Sequence, residues 1–233
     1  MDEQTRRGLG WKIAFKRTHS HEMDLFREYI GIVHDALECV HASHVAFVQR
    51  ELSREPDESM HEGIEMFHAE EDEKLAIALP ALSHSATVVS ILSFLEHEMF
   101  ELCSRLQKNA KHRIGVKDLS GSGIEQAANY LEKICGLTDL KKHQRWAEIG
   151  KLQKVRNVLV HRRGILREVN GKNDPDQDIR RYAIEKGLLA DPLATDLVIT
   201  NEFCIEVIEA VKSMLWILID RVPTADMAGE EPS

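Results

Sequence analysis

Apolar residues recur at helical spacing along most of this 233-residue chain. From about Glu22 to Arg54, the positions Leu25, Phe26, Ile30, Val33, Leu37, Val40, Val45, Val48 and Leu52 lay out one long amphipathic helix. Pro56 breaks it, Asp57 or Ser59 caps the next, and a second helix is expected from about Met60 to Ala78. Pro80 should then interrupt or kink the chain. The most apolar helix is expected over 83–106, a short one over 124–135 with Gly136 as its stop, and a fifth over 142–161 with Gly164 just past its end. Thr200 or Asn201 caps a last apolar helix to about Ile219. Residues 1–16, the Ser120-Gly-Ser-Gly123 linker and the 170–177 loop or hairpin tip read as irregular, and Val198–Thr200 as a short extended piece. No alternating pattern is strong enough to build a sheet. The predicted class is all-α, with a disordered tail over 223–233.

Composition narrows the setting. Hydrophobic residues make up 43% of the chain, enough for a sizeable core. Cys39, Cys103, Cys135 and Cys204 are far apart, form no CxxC pair and sit in apolar helical contexts, which predicts reduced, buried thiols and a cytoplasmic location. The N-terminal stretch MDEQTRRGLGWK has no apolar signal region, and no run is expected to reach the roughly eighteen apolar residues that span a bilayer.

Charge then singles out one region. The chain carries 30 Lys and Arg against 39 Asp and Glu, a formal charge of −9. From Lys141 to Arg167, however, Lys141, Lys142, Arg145, Lys151, Lys154, Arg156, Arg162, Arg163 and Arg167 face only Glu148. A basic segment in an acidic chain points to an anionic ligand. Within it lies Arg156-Asn157-Val158-Leu159-Val160-His161. Arg offers a fixed fork of donors to phosphate oxygens, and His moves a proton near neutral pH. Cleaving RNA without a metal uses the 2′-hydroxyl as internal nucleophile, so such a site needs a proton acceptor, a proton donor and a cation at the phosphorane. On an ideal helix Asn157 and His161 share a face, whereas residues five apart diverge by about 140°. The spacing therefore favours a site shared between two subunits. The bland alternative is a basic last helical turn that satisfies the terminal carbonyls and the helix dipole.

These residues resemble a known family. Val155-Arg-Asn-Val-Leu-Val-His161 is similar to the RNxxxH signature of HEPN domains. Phe94-Leu-Glu-His-Glu98 on the apolar helix, Ala128-Asn-Tyr-Leu-Glu-Lys133, Trp146 ahead of the motif helix and Glu202-Phe-Cys204 on the closing helix fit that plan over roughly residues 80–220. The resemblance implies an up-and-down helical bundle over 81–222, preceded by a helical extension (a long hairpin) over 1–80, commonly a symmetric homodimer, and in many members metal-independent endoribonuclease activity within toxin–antitoxin or phage-defence systems. Carried onto this chain, it makes Arg156 and His161 catalytic and Asn157 the residue that orders them, with no cofactor. RNA is the expected partner, with an antitoxin or regulatory protein as a second. Glu96 is suspected to point into the same cleft. Lys151, Lys154, Arg162, Arg163 and Arg145 are the expected RNA-binding residues.

Two further patterns suggest other readings. His34-x3-Glu38-x2-His41 and His61-x3-Glu65-x2-His68 each place three metal-capable side chains on one helical face. Facing one another they would resemble a carboxylate-bridged di-metal site, but a simple hairpin about Pro56 puts Glu38 and Glu65 out of register. Arg105, Lys108, Lys111, His112, Arg113 and Lys117 form a second basic stretch that either extends an RNA surface or is a solvated connection. The alternatives to a ribonuclease are thus a catalytically silent nucleic-acid- or protein-binding module and a helical-bundle metalloprotein.

Overall fold

The computed structural model describes residues 2–169 and 174–227. Among these the chain is all-α. The helices are α1 (Glu3–Arg54), α2 (His61–Glu73), α3 (Leu79–Asn109), α4 (Gly123–Lys133), α5 (Gln144–Arg162), α6 (Gln177–Glu185), α7 (Asn201–Arg221) and the single turn α8 (Thr224–Met227).

Helix α1 begins at Glu3, about twenty residues earlier than the hydrophobic pattern suggests, because Asp2 accepts from the Thr5 backbone N–H and caps it. Its first thirty residues belong to the bundle: Phe15, Met23 and Ile30 are buried in the common core. They pack on α3, α7 and α8. The expected boundary at residue 80 therefore does not separate an extension from a domain. What projects is an arm formed by the second half of α1 and the chain running back from the Pro56 turn.

Pro80 does not break that returning helix. A wide π turn over Lys74–Ala78 precedes it, with the Leu79 N–H reaching back to the Lys74 carbonyl. Shifting the ladder by one residue absorbs the donor that proline lacks, and the helix continues into α3. Glu58–Asn109 thus forms one rod containing an 18-residue window of mean hydropathy 1.8. It is long and apolar enough to cross a membrane by length and composition, contrary to the sequence expectation, and 33% of that window is buried.

The core lies where α3, α4, α5 and α7 meet α1. Helix α3 contributes Val88, Ile91, Leu92, Leu95, Met99, Leu102 and Leu106; α7 contributes Phe203, Val207, Ile208, Val211, Met214, Leu215, Leu218 and Ile219. Thr200 caps α7 by accepting from the Phe203 N–H. Beyond Pro223 the chain forms α8, whose Met227 is buried and whose Asp226 carbonyl accepts from Asn109. A Cβ on Gly8 would collide with the Thr224 carbonyl, so glycine lets α1 and α8 touch. The tail expected over 223–233 is thus helical over Thr224–Met227, and residues 228–233 lie outside the described residues.

A buried polar pair ties α1 to α3. His19 donates through Nδ1 to the Phe15 carbonyl at 2.7 Å and meets Glu98 through Nε2 at 2.6 Å. Burial opposes the charged imidazole, but the hydrogen bonds from Glu98 and Phe15 and the Glu98 charge outweigh it, so the His19 pKa is raised above 6.5. A raised folded-state value stabilises the fold fully below the unfolded pKa and loses that contribution as pH climbs through the folded value. Thermal stability is therefore expected to decline as pH rises from about 6.5. Glu98→Gln should cost about 2 kcal/mol near pH 6 and flatten that decline. Denaturant melts of both proteins between pH 6 and 9 check it; an undiminished slope in the variant would rule the pair out as its source.

Three of the four cysteines are at least half-buried as expected, but Cys39 on the arm is exposed. Burial pushes the Cys103 and Cys204 thiols up to about 12, which makes them inert.

Candidate functional site

Helix α5 buries Trp146, Ile149, Leu152, Val155 and Val158 against α3 and α7. That choice of buried face puts Lys154, Asn157 and His161 on one outward stripe, three and four residues apart. All three line an open cleft of about 710 Å³. Arg156, half-buried on the next face, does not line it and reaches only the neighbouring Asn157 Oδ1 at 3.4 Å. Within one chain the motif Arg and His thus diverge, as five-residue spacing requires.

The opposite wall is built by a segment that the sequence pattern left as loop. After α5 the chain reverses through left-handed Arg163 and Gly164, with the Gly164 N–H on the Val158 carbonyl. It then runs extended beside 195–197, the Leu166 N–H bonding to Thr195 O and the Leu197 N–H to Gly164 O. Helix α6 follows, with Ile179, Tyr182 and Ala183 at helical spacing, and its Tyr182 meets Phe203 of α7 edge-on. The expected loop tip at 170–173 lies outside the described residues.

Buried charge holds this wall in place. Asp176, with its side chain 2% exposed, accepts from the Arg162 guanidinium, from Arg167 Nη2 at 2.9 Å and from the Arg167 N–H at 2.8 Å. Burial alone would raise its pKa, but the two guanidinium groups and the backbone donor prevail and hold it well below the usual carboxylate range. Asp174 accepts from Arg180 Nε at 3.0 Å, and the buried Arg180 also donates to the carbonyls of Ala194 and Arg167. Asp174, Asp176, Arg167 and Gln177 line the cleft beside His161. Sequence reasoning missed Asp174, Asp176, Gln177 and Arg180 as parts of the site. Their only linear trace is an Asp-Pro-Asp turn ahead of two arginines, and nothing in it names the partners.

The basic segment is largely neutralised. Lys141 pairs with Glu125, Lys142 with Asp139, Arg145 with Glu148, Lys154 with Asp178, and Arg162 and Arg167 with Asp176. Lys151 lies over the Tyr182 ring at 5.2 Å. Of the expected RNA-binding residues, then, Arg145 and Arg162 are committed to internal carboxylates and Lys154 is shared with an exposed one. Arg163 is exposed beside the cleft's end of α5. Glu96 does not line the cleft; its carboxylate lies against Gly123 at the start of α4, where a Cβ would approach it to 3.3 Å.

The histidines sort by partner. His41 meets Asp72 and His68 meets Glu51 across the arm, His61 bonds to the Glu55 carbonyl, and His34 lies 3.4 Å from Glu38. The two HxxxExxH faces are therefore spent on separate contacts, and Glu65 joins no metal-capable group among the described residues. His84 and His112 bond to Ile199 O and Tyr130 Oη. His161, like the exposed His21 and His97, has no hydrogen-bond partner among the described residues, and it lines the cleft.

Comparison of the chain with protein-family models, with curated proteins and with solved structures finds no match.

Proposed function

We propose that the chain is a metal-independent endoribonuclease of the HEPN kind, acting in the cytoplasm as a toxin or phage-defence effector, held in check by an antitoxin or regulatory protein. The observation that carries this reading is the pairing of Asn157 with an internally unpartnered His161 in an open cleft. A histidine without a structural bond is free to exchange protons with a ligand. In the proposed reaction the ribose 2′-oxygen attacks the adjacent phosphorus as His161 takes its proton. The bond to the 5′-oxygen breaks as the protonated His161 gives its proton to that oxygen, leaving a 2′,3′-cyclic phosphate and a 5′-hydroxyl. Arg156 stabilises the charge on the phosphorane. Because Arg156 lies off the cleft of its own chain, a homodimer would join one chain's Arg to the other's His.

A catalytically silent binding module is the second reading, favoured by the neutralisation of the basic segment. A surface whose cations face internal carboxylates releases few counterions and gains little from RNA phosphates.

Purified wild type should cleave total cellular RNA in EDTA, while Arg156→Ala and His161→Ala, folded by circular dichroism, leave it intact. Intact RNA at high wild-type concentration, or equal cleavage by both variants, would transfer the reading to the binding module.

A further inference from the structure

The arm carries an uncovered apolar face. On α1, Leu25, Tyr29, Ile32, Ala36 and Val40 follow at steps of three or four and form one stripe. On the returning rod, Ile77, Leu82 and Ala86 face outward as well. The six large side chains among these are between 49% and 66% exposed. At the base of the arm the two stripes meet in a groove of about 520 Å³. Leu25, Phe26, Tyr29 and Phe94 wall it, and the small residues Ala86 and Ser90 lie between them.

We propose that this face is a self-association surface separate from the α5 contact that a shared Arg156–His161 site needs, each copy's arm packing on the other's into an intermolecular four-helix bundle. The first argument is area. Six such side chains about half exposed amount to on the order of 600 Å² of apolar surface, the upper end of what a monomer leaves uncovered. Packed on itself, the face removes roughly 1,200 Å² from water, which reaches the lower bound for a stable protein interface. A two-helix arm alone leaves each helix half uncovered, whereas four helices close a core. The second argument is shape. Exposed Ile32 and Leu82 stand one helical turn out from Tyr29 and Ala86 of the groove, so a two-fold axis between groove and pair seats each copy's Ile32 and Leu82 in the other's groove. Charge excludes the competing occupant, a lipid surface. Asp24, Glu28, Asp35 and Glu38 border the stripe, and Arg27 is already paired with Asp24 and Glu209. Interfacial helices carry Lys and Arg at that border. On its other side the rod is held in the protein by buried His84, bonded to the Ile199 carbonyl.

This surface does not rest on the ribonuclease reading, since α1 makes no contact with α5 or α6 among the described residues. Sedimentation equilibrium of the full chain tests it. Wild type is expected to form one more association step than a variant altered at Ile32 and Leu82, and to associate more tightly as salt screens the acidic border. Ile32→Glu combined with Leu82→Glu, both at exposed positions, should weaken association by roughly 100-fold or more with unchanged helicity. Leu193→Glu, at an exposed apolar residue off the arm, should leave the dimer intact. A monomeric wild type at about 100 μM, or a double variant that associates as tightly and to the same mass as wild type, overturns the proposal. So does uptake of wild type, but not of the double variant, by phosphatidylcholine–phosphatidylglycerol vesicles.

Discussion

Asp176→Asn is expected to destabilise the protein by about 3 kcal/mol. The substitution is nearly isosteric, so the loss comes from charge: Arg162 and the Arg167 backbone and side chain lose a common acceptor buried beneath them. Breaking a buried pair this way typically costs about 3–5 kcal/mol, and the lower end applies because Arg162 and Arg167 stay partly in water. The pH dependence has a definite sign. A carboxylate whose folded pKa is depressed stabilises above its unfolded value, near 3.8, and loses that contribution as pH falls towards the folded one. Wild type should therefore lose stability below about pH 4 along a limb that the variant lacks. Asp178→Asn serves as the comparison, since its exposed pairs with Lys154 and Arg181 should be worth less than about 0.5 kcal/mol. Urea melts of the three proteins at pH 7 and pH 3.5 separate these outcomes. A shift below about 1 kcal/mol for Asp176→Asn would mean that the wall of the cleft is held by α6 packing instead.

The second large effect concerns the division of Arg156 and His161 between chains. Under the ribonuclease reading each alanine variant should lose roughly 10²–10⁴-fold in rate. Mixed in equal amounts and allowed to exchange subunits, the two silent variants should recover about a quarter of the wild-type rate, because half of the dimers are mixed and each holds one complete site. Recovery requires that Arg come from one chain and His from the other. A mixture as silent as its components, while wild type cleaves, would show that one chain brings its own Arg156 round to the cleft.

The hydrophobic period by itself determined the class, the Pro56 turn, and the identities and approximate limits of α3, α4, α5 and α7. Repeated burial of one helical face writes itself into spacing of three and four. It also determined that Lys154, Asn157 and His161 share a stripe and that Arg156 leaves it, because helical angle follows from residue number alone. Four matters were left to the tertiary structure. The first turns of α1 carry little apolar pattern, and they are helical because Phe15, Met23 and Gly8 find α3, α7 and α8 to pack on. Pro80 reads as a break in one dimension, yet a π turn and the neighbouring α1 make continuing the helix cheaper than ending it. The apparent positive charge of 141–167 is reduced by Glu125, Asp176 and Asp178, acids outside the segment that only folding brings near, and by the local Asp139. The cleft wall itself rests on Asp176 and Arg180, whose partners lie up to fourteen residues away. Periodicity reports which face is buried, a property of each helix alone. Pairing of charges depends on distances between segments, and those exist only once the chain has folded.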